Sequence, residues 1–273
     1  MNRRIILHIG SPKCGSTYLQ RVMLQNQALL KVNGVYYPTG EEGHPGNGMV
    51  IPELSQAQFD GLFPDQSIHT TVLSHENLYA MPQWGKNLSE MVKGTDITVQ
   101  VVVFLRPFSA FLYGDYSQFM KQFFDTYLET RKPYDDKTFE GFAERRINTL
   151  KPANFLPKWA ERFPTAPLVL TSHRNIRQTL ETVIGDVDGM DWTVPSELTN
   201  PSLRVSDCDD IAEAMRNPSN SADDVKQMFQ KAFHTTGLPD LGRTPERTQW
   251  LEEQFETQNR ALFDLFGFDN RLP

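Results

Sequence analysis

The sequence predicts an α/β fold, with a central and mainly parallel sheet flanked by helices in three layers. Three observations predict it. Aliphatic and β-branched residues dominate Arg4–Ile9, with no breaker before Gly10, as expected of a strand buried on both faces. Ile97–Leu105 is nearly continuous and β-branched, the pattern of an interior strand in a parallel sheet. Two further strand-like runs, Thr70–Leu73 and Pro167–Ser172, lead into polar residues at the end where open α/β sheets bind ligands.

Taken in order, the first strand runs into a turn punctuated by Gly10, Pro12 and Gly15. Ser16-Thr17 then opens a helical pattern over Tyr18–Leu30, with Leu19, Val22, Met23, Leu29 and Leu30 at roughly helical spacing. A helix N-terminus aimed back at a glycine-bracketed loop is a natural anion site, because its N–H groups are unpaired and its dipole end is positive. The Ser16 and Thr17 hydroxyls and the Lys13 ammonium add donors. The plainer reading is an ordinary strand–turn–helix corner with an exposed lysine. A Walker A loop is excluded, since Gly15 is followed by Ser16 and the lysine lies inside the loop.

Gly34–Pro38 reads as a short extended segment and Thr39–Met49 as a glycine-rich loop containing His44. Thr70–Leu73 leads to Ser74-His75-Glu76, where an imidazole or a carboxylate suits a general base. Neighbouring strand residues point to opposite faces, so one of the two is expected to reach an acceptor. The alternative for this cluster is a helix cap. Ile97–Leu105 ends at Arg106-Pro107, and a helix is expected over Phe108–Gln122. Arg106 either binds a ligand or pairs with Asp115. Phe123–Leu150 is read as helices broken at Lys132-Pro133, Asn154–Phe163 as a helix, and Asn175–Ile184 as another. Thr193–Asp207 is expected to be irregular, with Ala212–Phe233 and Pro245–Phe266 helical.

The 273 residues, 39% of them hydrophobic, are read as one domain over 1–273. It carries a helical insertion at about 107–150 and a helical C-terminal part at about 205–273. A formal net charge of −7 argues against a nucleic-acid partner. Two cysteines, Cys14 and Cys208, fit a reducing compartment better than a disulfide framework. The sequence shows neither a signal-peptide core nor a membrane-length apolar run, so a cytoplasmic location is expected. The oligomeric state is not legible.

Pro12–Tyr18, Pro-Lys-Cys-Gly-Ser-Thr-Tyr, resembles the 5′-phosphosulfate loop of sulfotransferases that use 3′-phosphoadenosine 5′-phosphosulfate (PAPS). Its usual form is Pro-Lys-Ser/Thr-Gly-Ser/Thr-Thr followed by an aromatic residue. The resemblance implies a three-layer, P-loop-like fold and donor binding by Lys13, Cys14, Gly15, Ser16, Thr17 and Tyr18. His75 matches the Thr-His pair of cytosolic members, and Glu76 matches the Ser-Ser-Glu-Asn/His-Leu of bacterial ones. Arg106 matches a 3′-phosphate arginine, but the serine expected eight residues later is Gly114, so the hydroxyl comes from Ser109 or Ser117 or is absent. Arg204, in a segment that resembles C-terminal nucleotide-covering loops, is a further candidate beside its reading as a surface arginine.

The implied reaction moves a sulfuryl group from PAPS to a hydroxyl or amine, releasing adenosine 3′,5′-bisphosphate and requiring no metal. Lys13, His75 and Glu76 are the implied catalytic set. A small-molecule or glycan acceptor, glycolipid included, fits equally well. Competing classes are a P-loop kinase or nucleotide hydrolase and a non-catalytic nucleotide-binding protein of the same fold.

Overall fold

In the computed structural model, which describes residues 3–271 except 41, 42, 196, 197 and 199, five strands form one sheet. They are β1 (Arg4–His8), β2 (Val35–Tyr36), β3 (Thr70–Ser74), β4 (Thr98–Leu105) and β5 (Val169–Ser172), ordered β2-β3-β1-β4-β5 with every pair parallel. Each expected strand is present, and helices connect and flank the sheet, so the fold class is the α/β arrangement that the apolar runs predict. β1 lies between β3 and β4, so three strand ends converge beside the loop that follows β1.

The helices are α1 (Ser16–Gln25), α2 (Gln27–Val32), α3 (Gln56–Asp60), α4 (Lys86–Val92), α5 (Phe108–Thr130) and α6 (Phe139–Thr149). They continue with α7 (Pro152–Arg162), α8 (Ile176–Ile184), α9 (Val205–Arg216), α10 (Ala222–His234), α11 (Pro245–Gln254) and α12 (Glu256–Phe266). Among the described residues, no helix is long and apolar enough to cross a membrane.

Several boundaries differ from the sequence reading. The single helix expected over Tyr18–Leu30 is α1 and α2, divided at Asn26, whose amide donates to the Val22 and Asp191 carbonyls. Side-chain amides that compete with the backbone in this way favour helix ends. Ala212–Phe233 is likewise two helices, because Asn217 precedes Pro218 and takes an extended conformation. α9 begins at Val205, inside the stretch expected to be irregular, part of which lies outside the described residues. The last pattern is broken at Phe255 into α11 and α12. The short α3 and α4 had not been expected; α3 is held by a Ser55–Gln58 capping box.

The chain forms two compact units. The first comprises Met1–Arg106, Pro152–Asn200 and Ala261–Asn270, and contains the whole sheet. On one face, Ile6, Val72, Val102 and Phe104 pack with Leu19 and Met23 of α1 and with Leu180 and Val183 of α8. The second unit comprises Pro107–Lys151, Pro201–Arg260 and Arg271–Pro273, and is built of helices. Tyr116, Tyr134, Phe139 and Phe142 stack edge and face at its centre.

Candidate functional site

Residues 9–15 connect β1 to α1. Lys13 adopts a positive φ of 60°, and Gly15, at φ 90°, is the left-handed residue from which α1 departs. Among the described residues no side chain caps α1, and its first turn contains no acidic residue, so its N-terminal N–H groups and dipole suit an anion. Cys14 points the other way, into the apolar core, and burial raises its thiol pKa despite the opposing Arg106 charge. Its backbone N–H donates to the Ser11 carbonyl at 3.3 Å, and the Ser16 hydroxyl donates to the same oxygen at 3.4 Å. The Tyr18 hydroxyl donates to the Trp192 carbonyl at 2.9 Å.

The start of this loop lies against the end of β3. A Cβ on Gly10 would stand 2.9 Å from the Glu76 Cα, and Gly10 has a φ of 99°. The parallel register sets His8 beside Ser74, whose Oγ lies 2.8 Å from His8 Nδ1. Gln20, fully buried one helical turn beyond Ser16, donates from Nε2 to Ser74 Oγ at 3.2 Å and to Glu76 Oε2 at 3.1 Å. Asn47 accepts the Ser74 N–H at 2.8 Å. Burial holds the His8 pKa down at about 4, with Glu76 opposing and His75 adding to the shift, so the ring is neutral at physiological pH.

Of the adjacent pair, His75 is buried and Glu76 half-buried. His75 Nδ1 accepts the Asn77 N–H at 3.2 Å and its ring stacks on His44 at 4.5 Å between centroids. The His44 Nδ1 accepts the Gly46 N–H at 2.9 Å, directing Nε2 to within 4.0 Å of Glu76 Oε1. The carboxylate is thus held from one side by an amide and approached from the other by an imidazole.

Arg106 directly follows β4 in the same unit. Its Nε is buried and, among the described residues, has no hydrogen-bond partner, a donor for which an incoming anion is a fitting acceptor. His173, next to β5, has a lowered pKa, from burial first and then from the Arg106 charge, and its Nδ1 lies 3.3 Å from the Leu105 carbonyl. The loop and Arg106 therefore offer an anion two sets of donors: an uncapped helix start with an in-loop lysine, and a buried arginine N–H.

Ser117 and Arg204 belong to the second unit. The Ser117 hydroxyl is fully buried and accepts the Leu203 N–H at 2.7 Å. Arg204 pairs with Asp207 at 2.5 Å and donates to the Pro239 carbonyl, so each guanidinium nitrogen already has a partner. Ser109 is bonded to Glu252, and Asp115, the alternative partner of Arg106, pairs with Arg146 at 2.6 Å. His8, Gln20 and Asn47 were not singled out from sequence. The signals for the first two were the lone polar residue within Ile5–Ile9 and a glutamine four residues after Ser16.

Among solved structures, the chain is similar to a sulfotransferase from Alicyclobacillus acidocaldarius. The alignment covers 98% of each chain, with a TM-score of 0.50 and 12% identity, a likeness of fold. No protein-family model matches the sequence. No curated protein matches it either.

Proposed function

We propose that this protein is a sulfotransferase that moves a sulfuryl group from PAPS to a hydroxyl or amine of a small-molecule or glycan acceptor. One observation carries the reading. Within a single unit, the uncapped start of α1 with its in-loop Lys13 abuts, through Gly10, the backbone of a carboxylate held in place by Gln20. A phosphate-binding loop next to a fixed base is what transfer between an anionic donor and a protic acceptor needs. The fold likeness to a sulfotransferase supports the same reading.

In this reading the N–H groups at the start of α1 and the Thr17 hydroxyl hold the 5′-phosphosulfate, while Arg106 takes the 3′-phosphate. The proton of the acceptor passes to Glu76 or His75 as its oxygen or nitrogen attacks sulfur. The bond from sulfur to the bridging oxygen breaks, and its electron pair leaves with adenosine 3′,5′-bisphosphate. Lys13 stabilises the charge that develops on that oxygen, so electrostatic placement supplies much of the acceleration.

Calorimetry with adenosine 3′,5′-bisphosphate and with Mg-ATP, each with and without EDTA, tests the proposal. Metal-independent binding of the bisphosphate is expected. Tight Mg-dependent ATP binding with no bisphosphate binding overturns it in favour of a kinase or hydrolase. Bisphosphate binding without transfer from labelled PAPS to any acceptor, water included, leaves a non-catalytic nucleotide binder.

A further inference from the structure

We infer that Gln20 is a positioning residue that fixes the Glu76 carboxylate as the base, an inference that rests on the transferase reading above. Both protons of the Gln20 Nε2 group are committed, one to Glu76 Oε2 and one to Ser74 Oγ. This pair of acceptors determines which way the amide faces, since the flipped amide sets a carbonyl oxygen against a carboxylate. The Ser74 oxygen is itself fixed by His8 from the neighbouring strand, and the Ser74 N–H by Asn47. Among the described residues, Gln20 Oε1 and His8 Nε2 have no hydrogen-bond partner, so the committed polar contacts of the cluster are the ones that converge on Ser74 and Glu76.

The same geometry separates the two base candidates. His75 spends Nδ1 on the Asn77 N–H and stacks its ring on His44. Glu76 keeps Oε1 toward the imidazole of His44 at 4.0 Å, leaving that oxygen the better placed to accept a proton. Gln20 lies on α1, the helix whose first turn opens at the phosphate loop. One rigid element therefore carries both the anion-binding N–H groups and the amide that aims the base.

The test is a double-mutant cycle with Gln20→Met and Glu76→Gln, assayed with labelled PAPS on 4-nitrophenol, glucose and water as separate acceptors. Gln20→Met is expected to lower kcat by about 10-fold or more, with the KM for PAPS and the bisphosphate affinity nearly unchanged. In the Glu76→Gln background the same substitution should alter kcat by less than about twofold, because its effect passes through the missing carboxylate. A loss of equal size in both backgrounds, or wild-type kcat in Gln20→Met, overturns the inference and leaves the transferase reading standing. If Gln20→Met does not fold, Gln20→Asn, whose amide is one methylene short of Glu76, carries the same expectation, and full kcat there also overturns it. A wild type that neither binds bisphosphate nor turns over PAPS removes the transferase reading and this inference together.

Discussion

At the scale of single residues, the buried polar side chains next to the loop have measurable consequences apart from any reaction. His8 has a folded pKa of about 4 against 6.5 in the open chain, because burial disfavours the imidazolium. Between those values the unfolded chain binds a proton at this position that the folded chain does not. Stability contributed by neutral His8 is therefore complete above about pH 6.5 and falls with acid down to about pH 4, by up to about 3 kcal/mol. Urea unfolding at about pH 7 and about pH 4.5 should show a smaller acid loss in His8→Gln than in the wild type. An equal loss refutes this account. Gly10 makes a different demand: its φ of 99° and the 2.9 Å approach to the Glu76 Cα leave no room for a side chain. Gly10→Ala should cost on the order of 1–2 kcal/mol in backbone strain alone and depress the proposed transfer further by displacing the Glu76 backbone. Thermal melts read the first effect and PAPS turnover the second; wild-type values of both count against the close packing.

At the scale of an element, α1 carries a conflict between stability and binding. Its first turn holds no acid and no side chain caps it, so the helix forgoes the stabilisation that either would give. Thr17→Asp places a carboxylate in that turn. It should stabilise the fold by about 0.3–1 kcal/mol while weakening the proposed binding of adenosine 3′,5′-bisphosphate by about 10-fold or more, through like-charge repulsion at the loop. Calorimetric titration beside a thermal melt distinguishes this from simple damage, which lowers both. Legibility also differs by element. β1 and β4 were readable because buried parallel strands need unbroken apolar runs. The division of Tyr18–Leu30 at Asn26 was not, since it depends on a bond to the Asp191 carbonyl far along the chain. The break before Pro218 had a local cause and was available from the residues themselves.

At the scale of the whole molecule, the sheet order brings the ends of β1, β3 and β4 together; strand-end position made Glu76 and Arg106 legible as candidates, and the glycine-bracketed loop after β1 made Lys13 so. Gln20 and His8 escaped notice because each acts through a partner 54 to 66 residues away, which spacing alone does not reveal. Charge supplies a prediction at this scale. The chain carries a formal net charge of −7, yet the proposed ligand is a polyanion held by local donors. Encounter is governed by the long-range field and escape by short contacts, which salt screens less when they are partly buried. Raising salt from about 20 to about 200 mM should therefore increase the association rate of adenosine 3′,5′-bisphosphate by about two- to threefold, with little change in dissociation. Lys13→Met should act in the opposite place, accelerating dissociation and leaving the salt effect on association intact. Stopped-flow binding separates the two rates. An association rate that falls steeply with salt overturns this division, because it shows that a basic field, not the net acidic charge, meets the ligand first.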